Sequence, residues 1–224
     1  MTAQESVRAE RRWTRRKDAR PDEITSAALD LFVERGYAAT RLDDVAARAG
    51  ISKGTLYLYF ANKEELFKAV VREGLVPAIA EAEKRVAAHR GSASDLIRDL
   101  VQGWWQMVGR TPYGGLPKLM ISESRNFPEI ARFYYEEVIT RAHRLLREAL
   151  ERGMRSGEFR TMDLDTAQFL VFSPFIMFLV WQHSLACCEP KHLDAEDYVA
   201  DAIELVLRGL AAPDAANHPK GQRG

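Results

Sequence analysis

Cysteine is almost missing from this chain. Two occur in 224 residues, and they are neighbours, Cys187 and Cys188, where a disulfide would be strained and would join nothing distant. A disulfide-stapled extracellular scaffold is excluded, and a reducing, cytoplasmic location is the expectation. Long hydrophobic runs are missing too. The longest, FLVFSPFIMFLVW from Phe169 to Trp181, has 13 residues and is interrupted by Ser173 and Pro174. It falls short of the roughly 20 that span a bilayer, so it reads as a buried helix and no membrane partner is expected. The first twenty residues are charged where a secretory signal needs an apolar centre. Catalytic signatures are equally scarce: there is no H-E-x-x-H, no Cys/His metal spacing, no G-x-S-x-G and no glycine-rich phosphate loop. His89, His143, His183 and His192 are scattered, and His183 reads as a hydrogen-bonding core or pocket residue rather than a base. No catalytic residue, metal or cofactor is expected, and no enzyme activity.

Net charge is also absent, with 32 Lys/Arg against 32 Asp/Glu, yet its placement is uneven. Residues 1 to 72 hold 14 Lys/Arg and 11 Asp/Glu, a net +3, and the remainder is net −3. The excess lies at the start, where Arg8, Arg11, Arg12, Arg15, Arg16, Lys17 and Arg20 face only Glu5, Glu10 and Asp18. Such an arm is either a solvated tail or a strip that tracks phosphates. Hydrophobic residues make up 46% of the chain, enough for a substantial core.

The apolar residues recur with helical period. Ile24, Ala27, Ala28, Leu31 and Phe32 sit at i, i+3, i+4, i+7 and i+8, behind Asp22 and Glu23 at the positive helix start, and Gly36 closes the segment. A second helix is expected from a Thr40 cap, with Leu42, Val45, Ala46 and Ala49 as its apolar face and Gly50 as its end. Ser52 caps a third helix, Lys53 to about Phe60. Asn62 caps a fourth, with Glu65 completing a capping box, and Pro77 is expected to kink it. Further helices are expected over 94–110, 116–124, 128–156, 163–186 and 194–211, separated by TPYGG, NFP, SGEFRTMD and CCEPKHL. No β-alternating run or internal repeat appears, so the fold class is all-α with about nine helices. The expected division is a basic disordered arm (1–19), a three-helix domain (20–66), a larger helical domain (67–212) and a disordered tail (213–224).

Helix two, the turn at Gly50 and helix three together read as a helix-turn-helix. The third helix is too short to build core but long enough to enter a major groove about 12 Å wide. Its outward residues suit that use. Lys53 reaches phosphate or guanine, Gly54 permits close backbone approach, Thr55 offers a methyl or a hydroxyl to a base edge, and Tyr57 and Tyr59 donate to phosphates. Lys63 adds charge at the next helix start. Arg20, Thr40, Arg41 and Ser52 complete the expected DNA-facing set.

Over Ala28 to Phe67 the chain resembles the tetracycline-repressor (TetR) family of bacterial regulators. The resemblance rests on the G-x-x-x-T spacing, A-x-x-A-G-I-S-K-G-T-L-Y, Y-F and N-K-E-E-L, all in order. Arg41 departs from the pattern, since Ser or Thr often bonds phosphate there. Farther along, ISESRNFPEIARFYYEEV is similar, loosely, to the AefR-like subgroup. The resemblance implies a homodimer on palindromic double-stranded DNA, with a small-molecule effector held in the C-terminal helices. Candidates to line that cavity are Trp104, Met107, Phe127, Phe133, Tyr134, Phe175, Phe178 and Trp181, which supply aromatic and polarizable surface for an apolar or amphipathic effector. Dimerisation is assigned to Val199, Ile203, Val206 and Leu210, whose 4, 3, 4 spacing suits a four-helix bundle. Repression is the expected mode. The alternatives are an activator or effector-independent regulator of the same fold, an all-α enzyme, or a purely structural helical protein.

Overall fold

One helix after another begins at a side chain that accepts a backbone N–H. Ser52 accepts from Thr55, Asn62 from Glu65, Ser92 from Asp95, Asp163 from Thr166, and Asp194 from Glu196 and Asp197. Each satisfies amides that have no partner inside their own helix. The computed structural model describes residues 20–188 and 193–213; the expected basic arm (1–19) and the tail beyond 213 lie outside the described residues. Among the described residues the chain is all-α, with an isolated antiparallel bridge between Phe159 and Ala211.

Two compact units form, and neither is one continuous stretch. The first holds residues 20–77 together with Leu119–Tyr135. It opens with α1 (Arg20–Arg35), α2 (Leu42–Arg48) and α3 (Lys53–Tyr59), followed by α4, which runs Lys63–Ala88 and continues as helix through Pro77. Ile24, Ala28, Leu31 and Phe32 of α1 are buried as their spacing predicts, with Val45, Ala46, Leu56, Leu66 and Phe67 against the same interior. Burying the isoleucine, valine, leucine and phenylalanine side chains among them contributes about 1.5–3 kcal/mol each. The rings of Phe32, Tyr37 and Phe67 lie 5.4 to 5.8 Å apart. The later stretch brings the end of α6 (Leu116–Glu123) and all of α7 (Pro128–Tyr134) into this unit.

The expected Thr40 cap is corrected. The residue before α2 is Arg41, whose side chain makes no capping bond. Thr40 is buried, and its hydroxyl donates to the carbonyls of Leu31 and Gly36 instead. It closes the end of α1 rather than opening α2.

The second unit holds residues 78–118 and 136 onward. It contains α5 (Ala93–Trp104) with a π turn at Trp105–Gly109, α8 (Thr140–Ser156), α9 (Leu164–Gln182) and α10 (Ala195–Leu210). The single helix expected over 128–156 is α7 and α8 joined by a π turn, Tyr135–Ile139. The core draws Leu96, Ile97 and Val101 from α5, Leu146, Ala149 and Leu150 from α8, Val171, Phe175, Phe178 and Leu179 from α9, and Val199, Ile203, Leu207 and Leu210 from α10. Glu158 caps α5 from afar, accepting from the amides of Ala93 and Ser94.

Val199, Ile203 and Leu210 are therefore buried in their own chain, and Val206 packs partly buried beside them. These four, expected at a dimer surface, all take part in the intrachain core, Val206 only in part. The exposed apolar side chains stand elsewhere: Phe169, Leu170, Met177 and Trp181 on α9, Leu185 after it, and Leu205 on α10. By length and composition α9 is apolar enough to cross a membrane. Its composition has another source, since one side faces the core and the other carries this exposed stripe.

Candidate nucleic-acid interface

Seven residues make α3, and only Leu56 among them is buried. With 3.6 residues per turn, side chains four apart share a row. Gly54 and Leu58 form the row opposite Leu56. Lys53 and Tyr57 flank it on one side, Thr55 and Tyr59 on the other. The Lys53 ammonium lies 6.0 Å from the centre of the Tyr57 ring, as that pairing requires. Tyr57 is 45% exposed, Tyr59 39% and Leu58 84%. Leu58 was not anticipated; its signal was an apolar residue at the position farthest from the core-facing leucine.

The turn before α3 is built from short-range chemistry. Gly50 has φ +66, the left-handed region a side chain disfavours, and the Ile51 amide bonds back to the Ala46 carbonyl. Ser52 then caps α3, and its oxygen also lies 2.8 Å from the Thr55 hydroxyl. Gly54 is different in kind. A Cβ added there would meet nothing nearer than the Ser52 hydroxyl at 3.8 Å, an ordinary contact. Neither backbone angle nor internal packing asks for glycine, which leaves close approach from outside as its physical use.

Ion pairs tie the two preceding helices together. Arg48 bonds both oxygens of Glu34, holding that carboxyl below its usual range, and Arg35 pairs with Asp44. Lys53 pairs with Asp43 at 2.8 Å, and that bond holds its ammonium above the ordinary range. Both partners are exposed, so the pair is weak and exchangeable. Arg41 is exposed and close enough to oppose the charge on Lys53. Arg20 opens α1, and its side chain lies outside the described residues.

Lys63 occupies a different position from the one expected. Its ammonium donates to the carbonyls of Tyr37, Ala38 and Thr40 at 2.6, 3.1 and 3.0 Å and lies 4.5 Å from the Tyr37 ring centre. Burial lowers its pKa, opposed by Glu123. All three of its donors are used, so Lys63, expected at a phosphate, here pins the loop between α1 and α2 to the start of α4. Thr40 likewise has its hydroxyl turned inward. Glu123 completes this anchor: its Oε1 accepts from the Ala38 amide and lies 3.1 Å from where a Gly36 Cβ would stand. Phe127 packs edge-on to Tyr37 at 4.7 Å. Sequence reasoning missed Glu123 because its partner is 85 residues away.

The expected effector residues do not converge. Phe127, Phe133 and Tyr134 belong to the first unit, where Phe127 packs on Tyr37, Phe133 faces Arg72 and Tyr134 is buried. The structure thus puts these three expected effector residues in a different unit from the other five. Trp104, Met107, Phe175, Phe178 and Trp181 belong to the second unit. Phe175 and Phe178 are fully packed core, Trp104 stands edge-on to Phe172 at 5.4 Å, and Met107 and Trp181 are partly exposed. A groove of about 370 Å³ in this unit is lined by Gln102, Trp105, Gln106, Glu196, Val199, Ala200 and Ile203. Trp105 Nε1 donates to Glu196 along it, and Arg110 pairs with the same carboxylate. His143 and His183 are half-buried, and burial pushes both below the ordinary histidine range. Among the described residues no three His, Cys, Asp or Glu side chains gather as a metal site.

Known proteins match both units. Residues 24–70 match the family described as bacterial regulatory proteins, tetR family, and residues 95–211 match the C-terminal domain of AefR-like transcriptional repressors. The HTH-type transcriptional repressor KstR2 of Rhodococcus jostii is 30% identical over 199 residues, covering 88% of this chain and 94% of KstR2. YhgD of Bacillus subtilis, an uncharacterized HTH-type transcriptional regulator, is 28% identical over 197 residues, covering 84% and 95%. Among solved structures, the fatty acid degradation regulator FadR from Bacillus halodurans shares the fold with a TM-score of 0.69 at 24% identity, over 84% of this chain and 98% of that one. These relatives are regulators of transcription and not enzymes.

Proposed function

Because the chain belongs to the TetR family of bacterial transcriptional regulators, we propose that it is a cytoplasmic repressor that binds a palindromic operator as a homodimer and is released by a small apolar or amphipathic effector. The observation that carries this reading is α3 itself, a capped helix that buries Leu56 alone and turns Lys53, Gly54, Thr55, Tyr57 and Leu58 outward. In a major groove the Gly54 and Leu58 row meets the floor, with Leu58 against thymine methyl groups. Lys53 leaves Asp43 for a base edge or phosphate, and Tyr57, Tyr59 and Arg41 reach the backbone on either side. Residues 20–66 do the reading in this proposal, and the helices after them supply dimerisation and effector response.

The dimer surface is the stripe of Leu170, Met177 and Trp181 on α9 with Leu205 on α10, because an exposed apolar strip needs a cover and a twofold partner offers the same strip. The effector is assigned to the second unit, beside Trp104, Trp105 and Phe172. Weakening operator binding a hundredfold needs roughly 2.7 kcal/mol of coupling, and the operator must weaken effector binding by the same factor.

Selection from random duplex DNA tests the whole reading. The expected winner is a palindrome whose half-sites lie one or more helical turns apart, bound with affinity that falls steeply with salt. Lys53→Ala and Thr55→Ala should flatten base preference within each half-site by about tenfold. Recovery of no palindrome would end the proposal, and a reporter that loses rather than gains expression on deleting the gene would make the protein an activator.

A further inference from the structure

Cys187 and Cys188 are the only cysteines of the chain, and both are exposed and reduced. They lie on a short 3-10 turn, Ala186–Cys188, just beyond α9. Successive side chains on a helical turn ordinarily diverge by about 100–120°. Here the two sulfurs converge to 3.6 Å. The turn is held by the Cys188 amide on the Leu185 carbonyl at 2.9 Å, and Cys187 Sγ lies 3.6 Å from the Ser184 carbonyl.

The spacing restricts what such a pair can hold. A disulfide between neighbours is disfavoured, since consecutive Cα atoms are about 3.8 Å apart and unstrained disulfides need about 4.4–6.8 Å. A thiophilic centre with bonds of about 2.3 Å to each sulfur at a near-tetrahedral angle spans about 3.7 Å between sulfurs, close to the separation found. Zinc and its relatives ask for four ligands, of which this pair supplies two. A centre that takes only two sulfurs from the protein and brings its third bond with it meets both constraints.

We propose that Cys187 and Cys188 form a vicinal dithiol site for monosubstituted trivalent arsenicals of the form R–As=O. Two S–H bonds and the As=O bond break, two As–S bonds form, and the oxygen leaves as water with both thiol protons. Arsenic stays trivalent and no oxidant is consumed. The ring closed through arsenic is one atom larger than the disulfide ring, which relieves the strain that opposes direct oxidation. The contact between the sulfurs holds the Cys188 thiol above its ordinary range, and that slows peroxide chemistry, which needs thiolate.

Phenylarsine oxide is the probe, added to the full-length protein and followed by intact-mass spectrometry and thiol titration. The expected product is one phenylarsenic group per chain with both thiols lost together, removed by a dithiol such as dimercaptopropanol but not by the same concentration of a monothiol. Cys187→Ser and Cys188→Ser should each weaken binding at least a hundredfold, because the second As–S bond forms at the high effective concentration of a chelate. Circular dichroism of both variants confirms that these surface changes leave the helices intact. Equal affinity in the single variants, two thiols still titrating at saturation, or two arsenic groups per chain would each overturn the site. So would peroxide converting the pair to a disulfide faster than the arsenical binds.

Discussion

Helix α3 and helix α9 each present a face that an isolated chain does not need, and the two faces differ in chemistry. In α3 the outward side chains are a lysine, a threonine, two tyrosines and one leucine around a glycine, on seven residues that contribute only Leu56 to the core. In α9 the outward side chains are Phe169, Leu170, Met177 and Trp181, on nineteen residues that also bury Val171, Phe175, Phe178 and Leu179. A polar, hydrogen-bonding face on a thin helix matches groove edges and phosphates. An apolar face on a helix already anchored in a core matches another apolar face. On the function proposed, each exposed face matches the partner assigned to it, and the length of each helix reflects how much core it must hold.

The largest effect separates the two sides of α9. Phe175→Ala empties a fully buried site and should cost about 3–5 kcal/mol of folding stability, read by urea denaturation at one fixed protein concentration. Met177→Glu, two residues away on the exposed side, should leave the monomer folded and weaken dimerisation by about a hundredfold, roughly 2.7 kcal/mol, as sedimentation equilibrium will report. A Met177→Glu protein that stays dimeric at low micromolar concentration removes the stripe from the interface.

The next effect concerns how α3 is held. Lys63→Met deletes three hydrogen bonds from an ammonium to loop carbonyls, two of them partly buried, and should destabilise the first unit by about 2 kcal/mol. The slope of operator affinity against salt should not change, because no phosphate contact is lost. A shallower slope with unchanged stability would restore Lys63 to the DNA surface. Glu123→Gln tests the same anchor more gently, since the amide oxygen still accepts from Ala38.

The smallest effect is a titration. Burial pushes the Tyr37 phenol up to about 12, so the folded state holds this proton more tightly than the unfolded chain does. Its contribution is fully present below pH 10 and is lost as pH rises from 10 towards 12. Wild type should lose about 1–2 kcal/mol more than Tyr37→Phe between pH 9 and 11.5, measured as the difference in thermal unfolding. Equal losses would mean that the ring ionises as freely as in the unfolded chain.

Much of this architecture was readable beforehand where the causes are local. The Ser52 and Asn62 caps, the core face of α1 and the left-handed Gly50 all follow from residues within one or two turns. Thr40 misled because its hydroxyl has two kinds of partner within reach, an amide ahead and carbonyls behind, and the packing of the loop chose the carbonyls. Lys63 misled for a related reason: a lysine at a helix start reads as an anion site until the loop carbonyls close on it. Val199, Ile203 and Leu210 were read as an apolar stripe, and the structure adds that their own chain buries them, because periodicity reveals that a face is covered without telling which surface covers it.

By itself the sequence determined the all-α class, the short capped helix after Gly50 and the chemistry that helix offers, since propensity, capping and period act over a few residues. Tertiary structure alone decided that Glu123 and Phe127 would brace the loop between α1 and α2, that Phe133 and Tyr134 would join that unit, and that α10 would turn Val199, Ile203, Leu207 and Leu210 inward. Those outcomes depend on contacts between residues tens of positions apart, where the competition among many apolar and charged partners is settled by packing, and no local pattern records the winner.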